Sequence, residues 1–242
     1  MPSANDADPR LTGEHVRTIS GGSGTVTLVG VVHDHPASVY RVRRVVEALD
    51  PDRLALELPP LAVARSERHA RGESLPAVFG GEMGTAIEAA RPGTAVGIDG
   101  PDLGFGRRLL AELRERRPAW GVVRDVIGDT ISVTRRAIAC RVAAVLPPRL
   151  ARRLVTGSPV PHDADATDDP ETQARDERRQ IRRARAFSNA FGGGRAGRAT
   201  RFADGLREDH MAARLAALRR EGDVVAVVGV AHLETLAESL RE

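Results

Sequence analysis

Thr25-Val26-Thr27-Leu28-Val29-Gly30-Val31-Val32-His33 decides the fold. Its uncharged, β-branched run matches a strand buried on both faces, which antiparallel sheets rarely need and parallel sheets require. Upstream, Glu14-His15-Val16-Arg17-Thr18-Ile19-Ser20 alternates apolar and polar, and Gly21-Gly22-Ser23-Gly24 supplies turn chemistry. The two runs therefore predict an N-terminal β-hairpin. Downstream, Val39, Val42, Val45, Val46 and Leu49 recur at helical spacing until Asp50-Pro51 stops them. Leu54-Ala55-Leu56-Glu57-Leu58 then reads as a second buried strand, closed by Pro59-Pro60. Strand, helix and strand in this order make a βαβ unit with a right-handed crossover.

The same grammar extends along the chain. Helices are expected near Leu61–Arg71 and Met83–Ala90, and Thr94-Ala95-Val96-Gly97-Ile98-Asp99 is a third parallel-type strand. From Asp102 to about Leu154 the pattern is helical, broken at Pro118 and Pro147-Pro148. Residues 156–170 read as an exposed loop, and 171–186 as a solvated, Arg-rich helix with partner binding as its alternative. Gly192-Gly193-Gly194 reads as a flexible loop. An amphipathic helix over Thr200–Arg220, the strand Val224–Gly229 and a short final helix end the chain. The expected class is α/β: a mixed, mainly parallel central sheet with an N-terminal hairpin, flanked by helices. Residues 1–12 read as a disordered leader, 13–242 as one domain, and 110–198 as a helical insertion within it.

Composition narrows the functional classes. All 36 basic residues are arginine, yet the formal net charge is only +3, so a nucleic-acid partner is not expected. Cys140 is the single cysteine, which rules out an intrachain disulfide or a zinc ribbon. The N-terminus lacks the basic and apolar regions of a signal peptide, and no run is long and apolar enough for a membrane span. A cytoplasmic location is the expectation. An isologous dimer is the default assembly, being the commonest.

Two strand ends share one feature. Gly30-Val31-Val32-His33 and Gly229-Val230-Ala231-His232 each place a histidine three residues beyond a glycine. Parallel strands present functional residues at their carboxyl ends. Adjacent strands would bring both imidazoles to one site, as metal ligands or general bases; otherwise they merely cap loops. Gly30 and Gly229 would let backbone or ligand approach closely. Glu57 and Asp99 end the other strands, where a buried carboxylate needs a partner, so each could ligate a metal, orient a histidine, act as a base or cap the next helix. Of the remaining histidines, His15 and His69 read as exposed, His162 as a loop residue and His210 as a surface or packing residue.

These pieces, with Gly81-Glu82-Met83-Gly84-Thr85-Ala86-Ile87-Glu88, Val96-Gly97-Ile98-Asp99 and Arg207-Glu208-Asp209-His210-Met211-Ala212, resemble the TraB/PrgY/GumN family, which includes Tiki-type metalloproteases. The likeness runs in order over most of the chain apart from residues 110–198. It implies an EreA/ChaN-like fold, His33 and His232 as metal ligands, Glu57 as a catalytic or ligating carboxylate, Arg207 as an anion-stabilising group and Glu82 as a second carboxylate. Asp34-His35 departs from the family pattern, and His35 adds a further ligand or base. Two histidines and a carboxylate suit zinc, manganese or cobalt. The leading expectation is a metal-dependent hydrolase of peptide or amide-type bonds. The alternative is a non-enzymatic protein that binds a peptide or small ligand at the same site.

Overall fold

The computed structural model describes residues 8–71, 81–147, 149–150, 160–191 and 195–241. The Gly192–Gly194 loop, the first part of the leader and the His69 side chain lie outside the described residues. Strands β1 (Val16–Gly21) and β2 (Gly24–Val31) form the expected hairpin, with Gly21 paired to Gly24 across a two-residue turn. Helix α1 (Pro36–Leu49) opens on proline, whose fixed φ suits a first turn, and closes at Asp50 in the left-handed region at φ 39°. Then follow β3 (Arg53–Leu56), α2 (Pro60–Ala70), α3 (Gly81–Ala89) and β4 (Ala95–Gly97). The middle of the chain is helical: α4 (Leu103–Arg116), α5 (Trp120–Ala143) and α6 (Pro170–Phe191). Helix α7 (Arg195–Leu218), β5 (Val224–Gly229) and α8 (Leu233–Ser239) complete the order.

The sheet runs β1-β2-β5-β3-β4, antiparallel only at the hairpin. It is thus mixed and mainly parallel, flanked by helices, with a helical insertion. Strands β2 and β3, successive in the chain, are not neighbours: β5 lies between them and pairs with both. Its run Val224-Val225-Ala226-Val227-Val228 explains the position, since every one of those side chains is buried. Val224, Ala226 and Val228 face a core with Met211, Leu215, Leu233 and Leu236 from α7 and α8. Val225 and Val227 face the opposite core, with Val42 and Val46 of α1 and Met83 of α3.

Helix α6 corrects the expectation of a fully solvated helix. Its inward face carries acids: Asp176 and Glu177 are 2% and 1% exposed. Glu177 accepts from both terminal nitrogens of the buried Arg41 guanidinium and from Ser38 Oγ at 2.5 Å. Burial pushes the Glu177 carboxyl up, but Arg41 outweighs it and holds the group below the usual range. Arg41 also donates to the Gly30 carbonyl at 2.9 Å and the Arg10 carbonyl at 2.8 Å. That last bond ties in Pro9–Leu11, a 3-10 turn within the stretch read as leader, where Arg10 also stacks on Tyr40 at 3.4 Å. His15, read as exposed, is buried beside Glu177.

Candidate functional site

The carboxyl ends of the parallel strands open on a cleft of about 520 Å³. Its polar lining includes His33, Asp34, Glu57, Asp99, Asp204 and Arg207, and its apolar wall includes Pro59, Phe105, Val126, Val133, Val160 and Ala203. Glu57 stands one residue beyond β3 and Asp99 two beyond β4, so each carboxylate leaves a strand just where the chain turns away. Arg207 reaches them from α7. Its guanidinium donates to Asp99 through Nε at 3.1 Å and Nη2 at 2.9 Å, and to Glu57 Oε1 at 2.6 Å. The second Glu57 oxygen accepts the Gly229 backbone N–H at 2.6 Å. Desolvation works against the Arg207 charge, but Asp99 and Glu57 outweigh it and raise the pKa.

The two histidines lie at neighbouring strand ends, with Val31 paired to Gly229, yet their rings turn to different acids. His33 is half exposed at the cleft, and its Nδ1 lies 2.7 Å from Oε1 of the fully buried Glu82. That hydrogen bond outweighs burial and raises the imidazole pKa. Glu82 Oε2 accepts the Asp34 backbone N–H at 2.9 Å, so one carboxylate fixes the whole turn. Asp34, at φ 59°, accepts from Gly81 and Val160 backbone N–H groups at 2.6 and 3.0 Å. His162 reaches the His33 carbonyl at 2.8 Å, so residues 160–162 are tied to the turn twice.

His232 is buried outside the cleft lining, with Nδ1 2.8 Å from Glu208 Oε1. Its Nε2 faces Glu57 Oε1 at 3.5 Å and the Arg207 guanidinium at 3.4 Å. Burial pulls its pKa down, but Glu208 and Glu57 outweigh this and raise it. His35 is turned away from the cleft. Its Nδ1 accepts the Ala37 N–H at 3.2 Å as the cap of α1, and its Nε2 faces Asp176 at 3.3 Å. A Cβ on Gly30 would stand 2.9 Å from Leu233 Cδ2, so this glycine makes room for α8 rather than for a ligand. At Gly229 the close neighbour is Glu57 Oε2, at 3.3 Å from a built Cβ.

This geometry overturns the metal centre. Among the described residues, no group of three or more His, Cys, Asp or Glu side chains could hold a metal ion. The physical reason is the internal cation: Arg207 takes the acceptor positions of Glu57 and Asp99 and stands beside His232. His33, meanwhile, is committed to Glu82. The expectations of a metal-dependent hydrolase, of a Tiki-like metalloprotease and of a zinc, manganese or cobalt cofactor are withdrawn. The chain matches no family model, no curated protein and no solved structure, which leaves the TraB/PrgY/GumN likeness without support from comparison.

Sequence reasoning found the strand-end residues but missed Glu208 and Asp204. Asp204 lines the cleft 3.7 Å from Arg207, with its pKa raised by burial. Asp204 lies three residues before Arg207 on α7, and that helical spacing was the available signal; Glu208, the next residue along, offered none.

Proposed function

We propose that the protein binds a small ligand or a short peptide segment in the strand-end cleft, without transforming it. The observation that carries this reading is the Arg207 clamp. It neutralises the strand-end carboxylates from within, while a cavity of about 520 Å³ stays open beside it. Pockets of this size, apolar with a few convergent polar groups, are the usual form of small-molecule sites. The lining carries five carboxylates, Asp34, Glu57, Asp99, Asp129 and Asp204, against Arg136 and Arg207. A ligand with an apolar body and a donating or cationic end, such as a free peptide N-terminus, fits that balance better than an anion does. No helix among the described residues is long and apolar enough to cross a membrane.

The test is calorimetric titration with hexapeptides of apolar sequence, each with a free or an acetylated N-terminus, in the presence and absence of a chelator. Free-amine peptides should bind, insensitive to chelator, be recovered intact, and lose binding when Ala203→Trp fills the cleft. Cleavage of the peptides, or binding that vanishes with chelator, would overturn the reading; so would binding that survives the Trp substitution.

A further inference from the structure

Helix α5 is apolar on two opposite sides. At 100° per residue, Val122, Val126, Ala137, Cys140 and Ala143 gather on one face, and these are its buried residues. Trp120, Ile127, Ile131, Ile138 and Val142 gather within about 60° on the opposite face. Those five are between 39% and 77% exposed. Their stripe is about 33 Å long at 1.5 Å per residue. Within its own chain the helix packs against α2 and α7, and both contacts use the inner face. The exposed apolar area is on the order of 600 Å², at or above the largest patch of an ordinary monomer. A surface helix gains nothing in water from such a stripe.

The charges beside the stripe decide its partner. Arg124 and Arg135 flank one side and Arg141 the other, whereas Asp125 and Asp129 of the same helix project well away from it. Arg124 is largely exposed, with Asp125 at 3.6 Å. Pairing two copies of α5 antiparallel about Ile131 would bring Arg124 of one near Arg135 of the other, like charge against like. A surface of anionic lipid has the opposite sign and an apolar layer below it. Arginine stems can lie along that layer with their heads in the phosphate zone, and tryptophan prefers the same boundary.

We infer that the outer face of α5 docks the protein peripherally on an anionic lipid surface, with Trp120 and the isoleucine stripe inserted and Arg124, Arg135 and Arg141 at the headgroups. Each arginine near such a surface contributes about a five-fold gain in affinity.

Vesicle co-sedimentation tests this with phosphatidylcholine alone and with 30% phosphatidylglycerol. Trp120 is the only tryptophan in the chain, so its emission reports the face directly. Binding should need the anionic lipid and fall with salt, and the emission should shift to the blue and be quenched by brominated acyl chains. Arg124→Glu with Arg135→Glu should weaken binding at least about 25-fold. Ile131→Asp should abolish it while leaving the circular dichroism spectrum and melting temperature unchanged. Failure to bind 30% phosphatidylglycerol vesicles with the fold intact overturns the inference. So does a concentration-dependent dimer that Ile131→Asp dissolves, which would assign the stripe to a second copy.

Discussion

Replacing Glu177 by leucine would leave Arg41 charged, fully buried and short of the carboxylate it pairs with. Arg41 would keep the Gly30 and Arg10 carbonyls, and Ser38 Oγ would lose the acceptor at 2.5 Å. Breaking a buried ion pair from one side costs about 3–5 kcal/mol, because the remaining charge cannot reach water. A domain is stable by only about 5–15 kcal/mol, so roughly a fifth or more of the folding free energy is at stake. For a chain of this length that corresponds to a fall of roughly 6–20 °C in Tm. Urea denaturation followed by circular dichroism gives the number, with an unchanged slope separating lost stability from a changed unfolded state. The double variant Arg41→Met with Glu177→Leu removes both charges and should recover most of the loss. A single variant less than about 1 kcal/mol weaker than wild type, or a double variant no better than the single, would refute the account of α6 as part of the core.

Three further outcomes are expected. His15, His35 and His210 are buried and their pKa values are lowered by desolvation, so the fold holds them neutral. Their contribution is complete above the ordinary imidazole pKa of 6.5 and is lost as pH falls through the lowered folded values; His33 and His232 are raised and act in the opposite sense. His35→Asn keeps an α1 cap and should flatten the loss of stability between pH 7 and pH 5, and an unchanged slope would exclude His35 as a contributor. Gly30→Ala should destabilise by about 1–3 kcal/mol by pressing Leu233 off the sheet. Gly229→Ala should cost less, its tightest contact being 3.3 Å to Glu57 Oε2; thermal melts compare the two.

Strands β2 and β5 were legible as uncharged, valine-rich runs, β1 by its alternation, β3 and β4 as short apolar runs bounded by Pro, Gly or Asp, and the helices because the apolar spacing changes period. The place of β5 between β2 and β3 was not, since a buried run says that a strand is central without naming its neighbours. Arg41 did carry a signal: it lies between Ser38 and Val45 at core spacing, which demands a buried acid somewhere in the chain. That the acid comes from a segment dense in arginine could not be read, because charge runs on helices usually face water. At the site, Glu57, Asp99, His33 and His232 were identifiable from their positions at strand ends, whereas Arg207 entered only through the family resemblance. What they do to each other was not. Whether a carboxylate at a strand end meets a metal ion or an arginine depends on where α7 crosses the sheet.

The strand at the centre of the sheet is also the last of the five described strands to be synthesised. Until Val224–Gly229 are made, β2 and β3 have no shared partner, and each presents an open edge flanked by uncovered valine and leucine. The nascent chain must carry those edges through the synthesis of more than 160 residues between β3 and β5. Closure of the sheet therefore waits for β5, and the long helical middle is made before the sheet on which it will rest. A chain interrupted before β5 would be expected in the aggregate, not as a smaller folded piece.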